Sequence, residues 1–243
     1  MDQTAVVTGA AGGIGRSVVR QLRAAGYRVV AVDISPAVTE LAEAGWVVPV
    51  AADVTAEATP TVVVDRATAE FGRLDLLVNN AARFLRRPIV DTTDEDFDTL
   101  FAVNVRSVFR LTRAALPHLT ETRGCVVNTA SISGLVGLAN QSVYAMTKGA
   151  IVQLTRQLAI EYAERGVRVN AVAPGAVDTD FTAEARAADP DPAATLAAIL
   201  CNHPIGRMLT PDEVARAVVF LAASASTGIT GTILSVDGGY IAR

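Results

Sequence analysis

The chain has 243 residues, 51% hydrophobic and 19% charged, with a formal net charge of −4 at pH 7. That length fits one large domain or two small ones, and a mean hydropathy of +0.35 is ample for a buried core. The acidic balance argues against a nucleic-acid binder, and no run reaches the ~18 apolar residues of a membrane span.

Only Met1 to Thr4 precede the first strand-like run, without a basic segment, so the expectation is no signal peptide and a cytoplasmic protein. Two cysteines, Cys125 and Cys201, make neither a disulfide scaffold nor a zinc site. His118 and His203 have no ligand companions near them in sequence, and no metal is expected. One lysine, Lys148, stands against twenty arginines, which points to a task a guanidinium cannot perform.

Short valine-rich runs alternate with helical patterns along the chain. The strand candidates are Ala5–Thr8, Arg28–Asp33, Val47–Asp53, Leu74–Asn79, Cys125–Ala130, Val167–Val172 and Ile233–Val236. Most lack polar alternation, as strands covered on both faces do. Helical stretches fall near 14–25, 36–44, 57–71, 94–118, 143–165 and 211–223. This alternation predicts an α/β fold, a parallel sheet with helices on both faces and right-handed crossovers. The one compositional break, 178–204, gathers acidic residues and prolines. Its place after the sixth strand favours a lid over a ligand, because ligands of such sheets sit beyond the strands' carboxyl ends.

The first strand runs into Thr8-Gly9-Ala10-Ala11-Gly12-Gly13-Ile14-Gly15, and a helix follows. Glycines at such a turn permit positive φ and close backbone approach, and a helix N-terminus offers free N–H groups to a pyrophosphate. The spacing, with Gly9, Gly13 and Gly15, differs from the generic G-x-G-x-x-G. Asp33 ends the second strand, where a carboxylate accepts hydrogen bonds from the adenosine ribose and repels a 2′-phosphate. That favours NAD over NADP.

Tyr144 and Lys148 lie four apart in a helical stretch and therefore share a face. A neighbouring ammonium is expected to draw the phenol's pKa of ~10 down toward the working range. The run Asn128-Thr129-Ala130-Ser131-Ile132-Ser133-Gly134 leaves the fifth strand on the ligand-facing edge. A hydroxyl there can donate to a carbonyl or a forming alkoxide, and position alone does not choose between Ser131 and Ser133.

Thr8–Gly15, Asn79-Asn80-Ala81, Ser131, Tyr144-x-x-x-Lys148 and Pro174-Gly175 together resemble the short-chain dehydrogenase/reductase family, in its compact branch, across essentially the whole chain. The resemblance implies a single-domain, doubly wound Rossmann-type sheet of seven parallel strands in the order 3-2-1-4-5-6-7. It also implies interconversion of a secondary alcohol and a ketone with NAD(P). Carried over by residue, it makes Tyr144 the general acid/base and Lys148 the group that lowers its pKa and holds the nicotinamide ribose. Ser131, 13 residues before Tyr144, orients the substrate oxygen, and Asn104 matches the asparagine of the family's proton relay. Gly9, Gly13, Ile14, Gly15 and Asp33 would hold the adenosine half, with Asp53 and Val54 at the adenine. Asn80 and Ala81 would pack along the cofactor, and the stretch with Pro174, Gly175, Val177 and Thr179 would hold the carboxamide and pyrophosphate. One departure is visible: Ala82 stands where the family usually has glycine.

Arg83, Arg86 and Arg87 follow the fourth strand and read as a solvated loop or a subunit contact, with steering of an anionic substrate as the rarer use. By resemblance the stretches 94–118 and 143–165 build a dimer interface in a homotetramer. The nearest alternative is a 3-oxoacyl-thioester (acyl carrier protein) reductase, which Asp33 disfavours. An S-adenosylmethionine-dependent methyltransferase, or a dinucleotide sensor without turnover, leaves Tyr144, Lys148 and Ser131 without a joint role.

Overall fold

The computed structural model describes residues 3–187 and 191–242. Seven parallel strands form one sheet in the order β3-β2-β1-β4-β5-β6-β7. They are β1 (Thr4–Thr8), β2 (Arg28–Asp33), β3 (Val47–Ala51), β4 (Leu76–Asn79), β5 (Cys125–Thr129), β6 (Arg168–Pro174) and β7 (Ile233–Val236). The helices are α1 (Gly13–Ala24), α2 (Thr59–Phe71), α3 (Asp94–Phe101), α4 (Ser107–Thr122), α5 (Ser142–Tyr162), α6 (Asp180–Ala187), α7 (Pro192–Asn202) and α8 (Pro211–Ala222).

The strands read as unbroken apolar runs because both faces are covered. Val7, Val29 and Val127 pack with Val18, Leu22 and Val218 of α1 and α8. The alternate residues Val6, Val30 and Val126 pack with Val63, Leu111 and Leu119 of α2 and α4. Successive side chains of a strand leave opposite faces, so each strand feeds both cores.

Three stretches differ from the periodicity. The segment 36–44 is only a 3₁₀ turn, Pro36–Leu41, opened by Ser35, whose Oγ accepts from the Ala37 N–H at 3.3 Å. The expected helix 94–118 is two helices joined through a π-helical turn, Ala102–Arg106. No Gly or Pro stands among residues 102–106 and the sequence on either side reads as helix, so the pattern hid the break. The break between β6 and α8 holds α6 and α7, the latter started by Asp191, which caps the Ala194 N–H at 2.9 Å, and by Pro192.

A buried polar network ties the middle of the sheet to the helices. Asn79 and Asn128 are register partners on β4 and β5. Asn79 Nδ2 donates to Asn128 Oδ1 at 2.9 Å and to Thr112 Oγ1 of α4 at 3.1 Å. Asn128 Nδ2 donates to Thr155 Oγ1 of α5 at 2.9 Å. The strand ends Thr8, Asp33, Asn79, Thr129 and Pro174 all open on one edge, with α5 fixed beside them. Replacing Asn128 by Ala strands two buried partners, and we expect a loss of about 2–4 kcal/mol in denaturant unfolding. A change below ~0.5 kcal/mol would show that this network does not anchor α5.

Candidate active site

The glycine turn is built by steric necessity. Gly9 has φ +65°, and a Cβ there would lie 2.9 Å from Ala81 Cα. A Cβ on Gly15 would fall 1.9 Å from the Gly9 carbonyl oxygen, and one on Gly13 would sit 2.6 Å from Thr179 Cγ2. Asn80 fastens the turn, its Nδ2 donating to the Thr8 and Gly9 carbonyls at 3.1 and 3.2 Å. Helix α1 then starts at Gly12 with no side-chain cap and no acidic residue in its first turn. Its unpaired N–H groups and positive dipole end face the cleft.

Asp33 is drawn into the same turn. One carboxylate oxygen accepts from the Ala11 N–H and the other from the Ser35 N–H, both at 2.9 Å. Arg16 is turned elsewhere: its Nε donates to the Ala11 carbonyl at 2.8 Å, and its guanidinium pairs with Glu40 at 3.1 Å.

A cavity of about 430 Å³ runs along the strand ends. Gly9, Gly13, Ile14, Gly15, Asp33, Asp53, Val54, Asn80 and Ala81 line one part of it. Ser131, Tyr144, Lys148, Pro174, Gly175, Val177 and Thr179 line the other. Ala82 also lines it, so the departure from the usual glycine leaves the cavity open. The long cleft, the uncapped helix end and the ribose-height carboxylate fit an extended dinucleotide.

Tyr144 and Lys148 are both buried on α5. Lys148 Nζ donates to the Thr129 carbonyl at 2.7 Å, and the Tyr144 hydroxyl is hydrogen-bonded to the Ser131 side chain. The expected drop of the phenol's pKa toward neutrality is not what these groups produce by themselves. Burial pushes Tyr144 up to about 12, opposed by the Ser131 hydrogen bond. The same burial pulls Lys148 down to about 8. Desolvation acts on each group toward its neutral form.

Asn104 sits in the π-helical turn, and its side chain lines neither cavity. Its Oδ1 accepts from the Arg83 N–H at 2.7 Å, while Nδ2 donates to the Arg83 carbonyl at 2.8 Å and to Thr147 Oγ1 at 3.1 Å. Of the arginines after β4, Arg83 lines the first cavity, Arg86 a second one, and Arg87 pairs with Asp96 at 2.5 Å.

That second cavity, about 510 Å³, meets the first at Ser131, Tyr144 and Gly175. Phe84 stands edge-on to the Tyr144 ring at 4.8 Å, and Phe181 lies 6.0 Å from Phe84. Helices α6 and α7 supply one wall through Phe181, Thr195 and Ile199. Buried His203 bolts that wall to β6: Nε2 accepts from the Ala176 N–H at 3.0 Å, and Nδ1 donates to the Ile199 carbonyl at 2.7 Å. Phe84, Gln141, His203 and Tyr240 are pocket residues that sequence reasoning missed. Gln141 alone carried a signal, standing three residues before Tyr144 where the helix pattern begins. Among the described residues no cluster of three His, Cys, Asp or Glu could hold a metal ion, and no helix is long and apolar enough to cross a membrane.

Fold and cleft thus define a dinucleotide-binding enzyme of the doubly wound class. A family model described as Enoyl-(Acyl carrier protein) reductase matches residues 9–241. The cis-4-hydroxycyclohexanecarboxylate dehydrogenase of Sinomonas cyclohexanicum is 41% identical, covering 99% of this chain and 97% of its own. The 3-ketoacyl-(acyl-carrier-protein) reductase from Brucella melitensis, in complex with NADH, superposes with a TM-score of 0.88 at 32% identity over 98% of both chains. ElxO with NADP bound gives 0.92 at 30% identity over both whole chains. The chain belongs to the short-chain dehydrogenase/reductase family and is an oxidoreductase acting on CH–OH groups.

Gly12 separates the turn's fold from its ligand. A Cβ there meets only the Gly9 oxygen, at 3.6 Å. Gly12→Ala should therefore keep its melting temperature within about 2 °C while weakening dinucleotide binding roughly tenfold. Calorimetric titration beside a thermal melt checks this, and unchanged affinity would move the pyrophosphate off this turn.

Proposed function

We propose that this enzyme interconverts a secondary alcohol and a ketone, preferring NAD, with Tyr144 as general acid/base. The observation that carries this reading is the junction of the two cavities at Ser131 and Tyr144, with Lys148 beneath. A reacting carbon held there is flanked by a proton donor and a dinucleotide groove.

Each residue's part follows from its contacts. Ser131 holds the substrate oxygen, and Tyr144 takes the hydroxyl proton in oxidation or returns it in reduction. Lys148, held by the Thr129 carbonyl, presents its ammonium to the ribose and to the phenolate when that forms. Asn104 acts by position, fixing Arg83 and the Thr147 turn next to Lys148. Gly9, Gly13, Ile14 and Gly15 cradle the pyrophosphate, Asp33 takes the adenosine ribose, Asp53 and Val54 flank the adenine, and Asn80 and Ala81 line the middle. Val177 and Thr179, after Pro174 and Gly175, hold the carboxamide end. When bound, the oxidised dinucleotide supplies the hydride acceptor and a positive charge close to the buried phenol. Residues 178–204, of which 188–190 lie outside the described residues, serve as the substrate lid, with α6 and α7 walling the second cavity.

Asp33 supports the NAD preference, since its carboxylate is fixed by two backbone N–H groups and Arg16 is engaged with Glu40. A homo-oligomer, a tetramer by family habit, is supported by exposed Phe109 on α4 and Ile160 on α5. A cytoplasmic location accords with a free, buried Cys125.

A panel of linear, cyclic and thioester-linked alcohols and ketones, read by absorbance of the reduced cofactor with NAD and NADP in turn, tests the reading. Turnover of secondary alcohols is expected. Tighter binding of S-adenosylmethionine than of either dinucleotide would overturn it. Asp33→Ala should shrink the NAD/NADP ratio of kcat/KM at least tenfold, and an unmoved ratio would remove Asp33 from cofactor choice. Lys148→Arg should lose most of kcat, and wild-type turnover in that variant would remove the lysine from the mechanism. Because burial holds Tyr144 protonated, with its pKa near 12, oxidation must climb with pH as the phenolate fraction grows, and reduction must not. Stopped-flow hydride-transfer rates in both directions report this, and a pH-independent oxidation step would exclude Tyr144 as the base.

A further inference from the structure

Beside the reacting position a short chain of hydrogen bonds leads away from Ser131 through Ser133 and Gln141, two residues that the proposed mechanism does not use. Ser131 Oγ donates to Ser133 Oγ at 3.2 Å and accepts from the Ser133 N–H at 3.1 Å. Ser133 Oγ in turn donates to Gln141 Oε1 at 2.7 Å. An amide oxygen only accepts, so Gln141 ends the chain and gives it one direction. The Gln141 backbone is fixed as well, its carbonyl accepting from the Ala145 N–H at 2.7 Å where α5 begins.

With Oε1 engaged by Ser133, the rest of the amide is Nε2 with two donors. Nε2 has no partner among the described residues, and half-buried Gln141 lines the second cavity. Gln141 is the N-cap residue just before α5, and it lines the second cavity together with Tyr144. Donors held this way are pre-organised for an acceptor on a molecule in that cavity, since the clamp through Ser133 removes most of the rotamer entropy. The neighbouring wall is aromatic, Phe84 and Phe181, and suits a hydrocarbon body between the two polar ends.

We propose that Gln141 is a specificity-determining residue that donates from Nε2 to a second oxygen of the substrate. The preferred substrates are then secondary alcohols, and the matching ketones, whose ring or chain carries a carboxylate or carbonyl oxygen away from the reacting carbon. The inference rests on the dehydrogenase reading above and assigns its substrate class.

The test compares cyclohexanol with cis-4-hydroxycyclohexanecarboxylate on the full-length enzyme, with wild type, Gln141→Leu and Gln141→Glu. Wild type should favour the carboxylate by kcat/KM. Gln141→Leu should cut that preference roughly tenfold to a hundredfold, chiefly through KM. Gln141→Glu should cut it further, by setting like charges together. Cyclohexanecarboxylate, which has no carbinol to react, should inhibit wild type competitively, with a Ki that rises in Gln141→Leu by a similar factor. Equal losses on both alcohols, no wild-type preference, or a Ki unmoved by the substitution would overturn the assignment to Gln141 alone. Absence of turnover on any secondary alcohol would instead bring down the dehydrogenase reading, and this inference with it.

Discussion

A lysine ammonium withdrawn from water and held by one backbone carbonyl is the constraint around which the cleft is organised. Lys148 is buried, and its Nζ reaches the Thr129 carbonyl where β5 runs out. Desolvating such an ion costs several kcal/mol even after relaxation. The contact persists because the helix carrying it is fixed from several sides. The Asn128 amide ties α5 to β5, and Asn104 ties Thr147 to the loop after β4. A guanidinium is broader and planar, and it would not enter the same space with one carbonyl for a partner.

Burial has a second consequence on the same helix. Tyr144 is pushed toward its protonated form and Lys148 toward its neutral one, so little phenolate forms unless a charge beside it favours ionisation. Charge brought into the cleft then acts in a low dielectric, where it has most effect. The reactive pair is held in reserve by desolvation, and its ionisation depends on what lies beside it.

The two cavities divide the labour. One runs over the glycine turn, where the Gly9 carbonyl leaves no room for a Cβ at Gly15 and the Thr179 side chain leaves none at Gly13. The other is walled by α6, α7 and aromatic rings, and joined to the first at Ser131 and Tyr144. His203 couples the two by bonding Ala176 on one side and Ile199 on the other.

Local and periodic features were readable from the residues in order. Valine runs without polar alternation announced strands covered on both faces, glycines after Thr8 announced a tight turn, and the i, i+4 spacing put Tyr144 and Lys148 on one helix face. Such features depend on neighbours in the chain, and seven strands with a common ligand-facing edge follow from them. The π-helical turn at Asn104 was hidden, because no Gly or Pro marks it between two runs that each read as helix. The pKa of Tyr144 was misjudged for a related reason: proximity to an ammonium is visible in spacing, whereas the depth of burial is set by distant chain packing over it. Gln141, His203, Phe84 and Tyr240 meet at one cavity from elements far apart in sequence, and no local pattern encodes such a meeting. Order along the chain determined the strands, the turn and the shared face of Tyr144 and Lys148; only tertiary packing decided the second cavity, because its walls come from segments whose contact is set by the closing of the core.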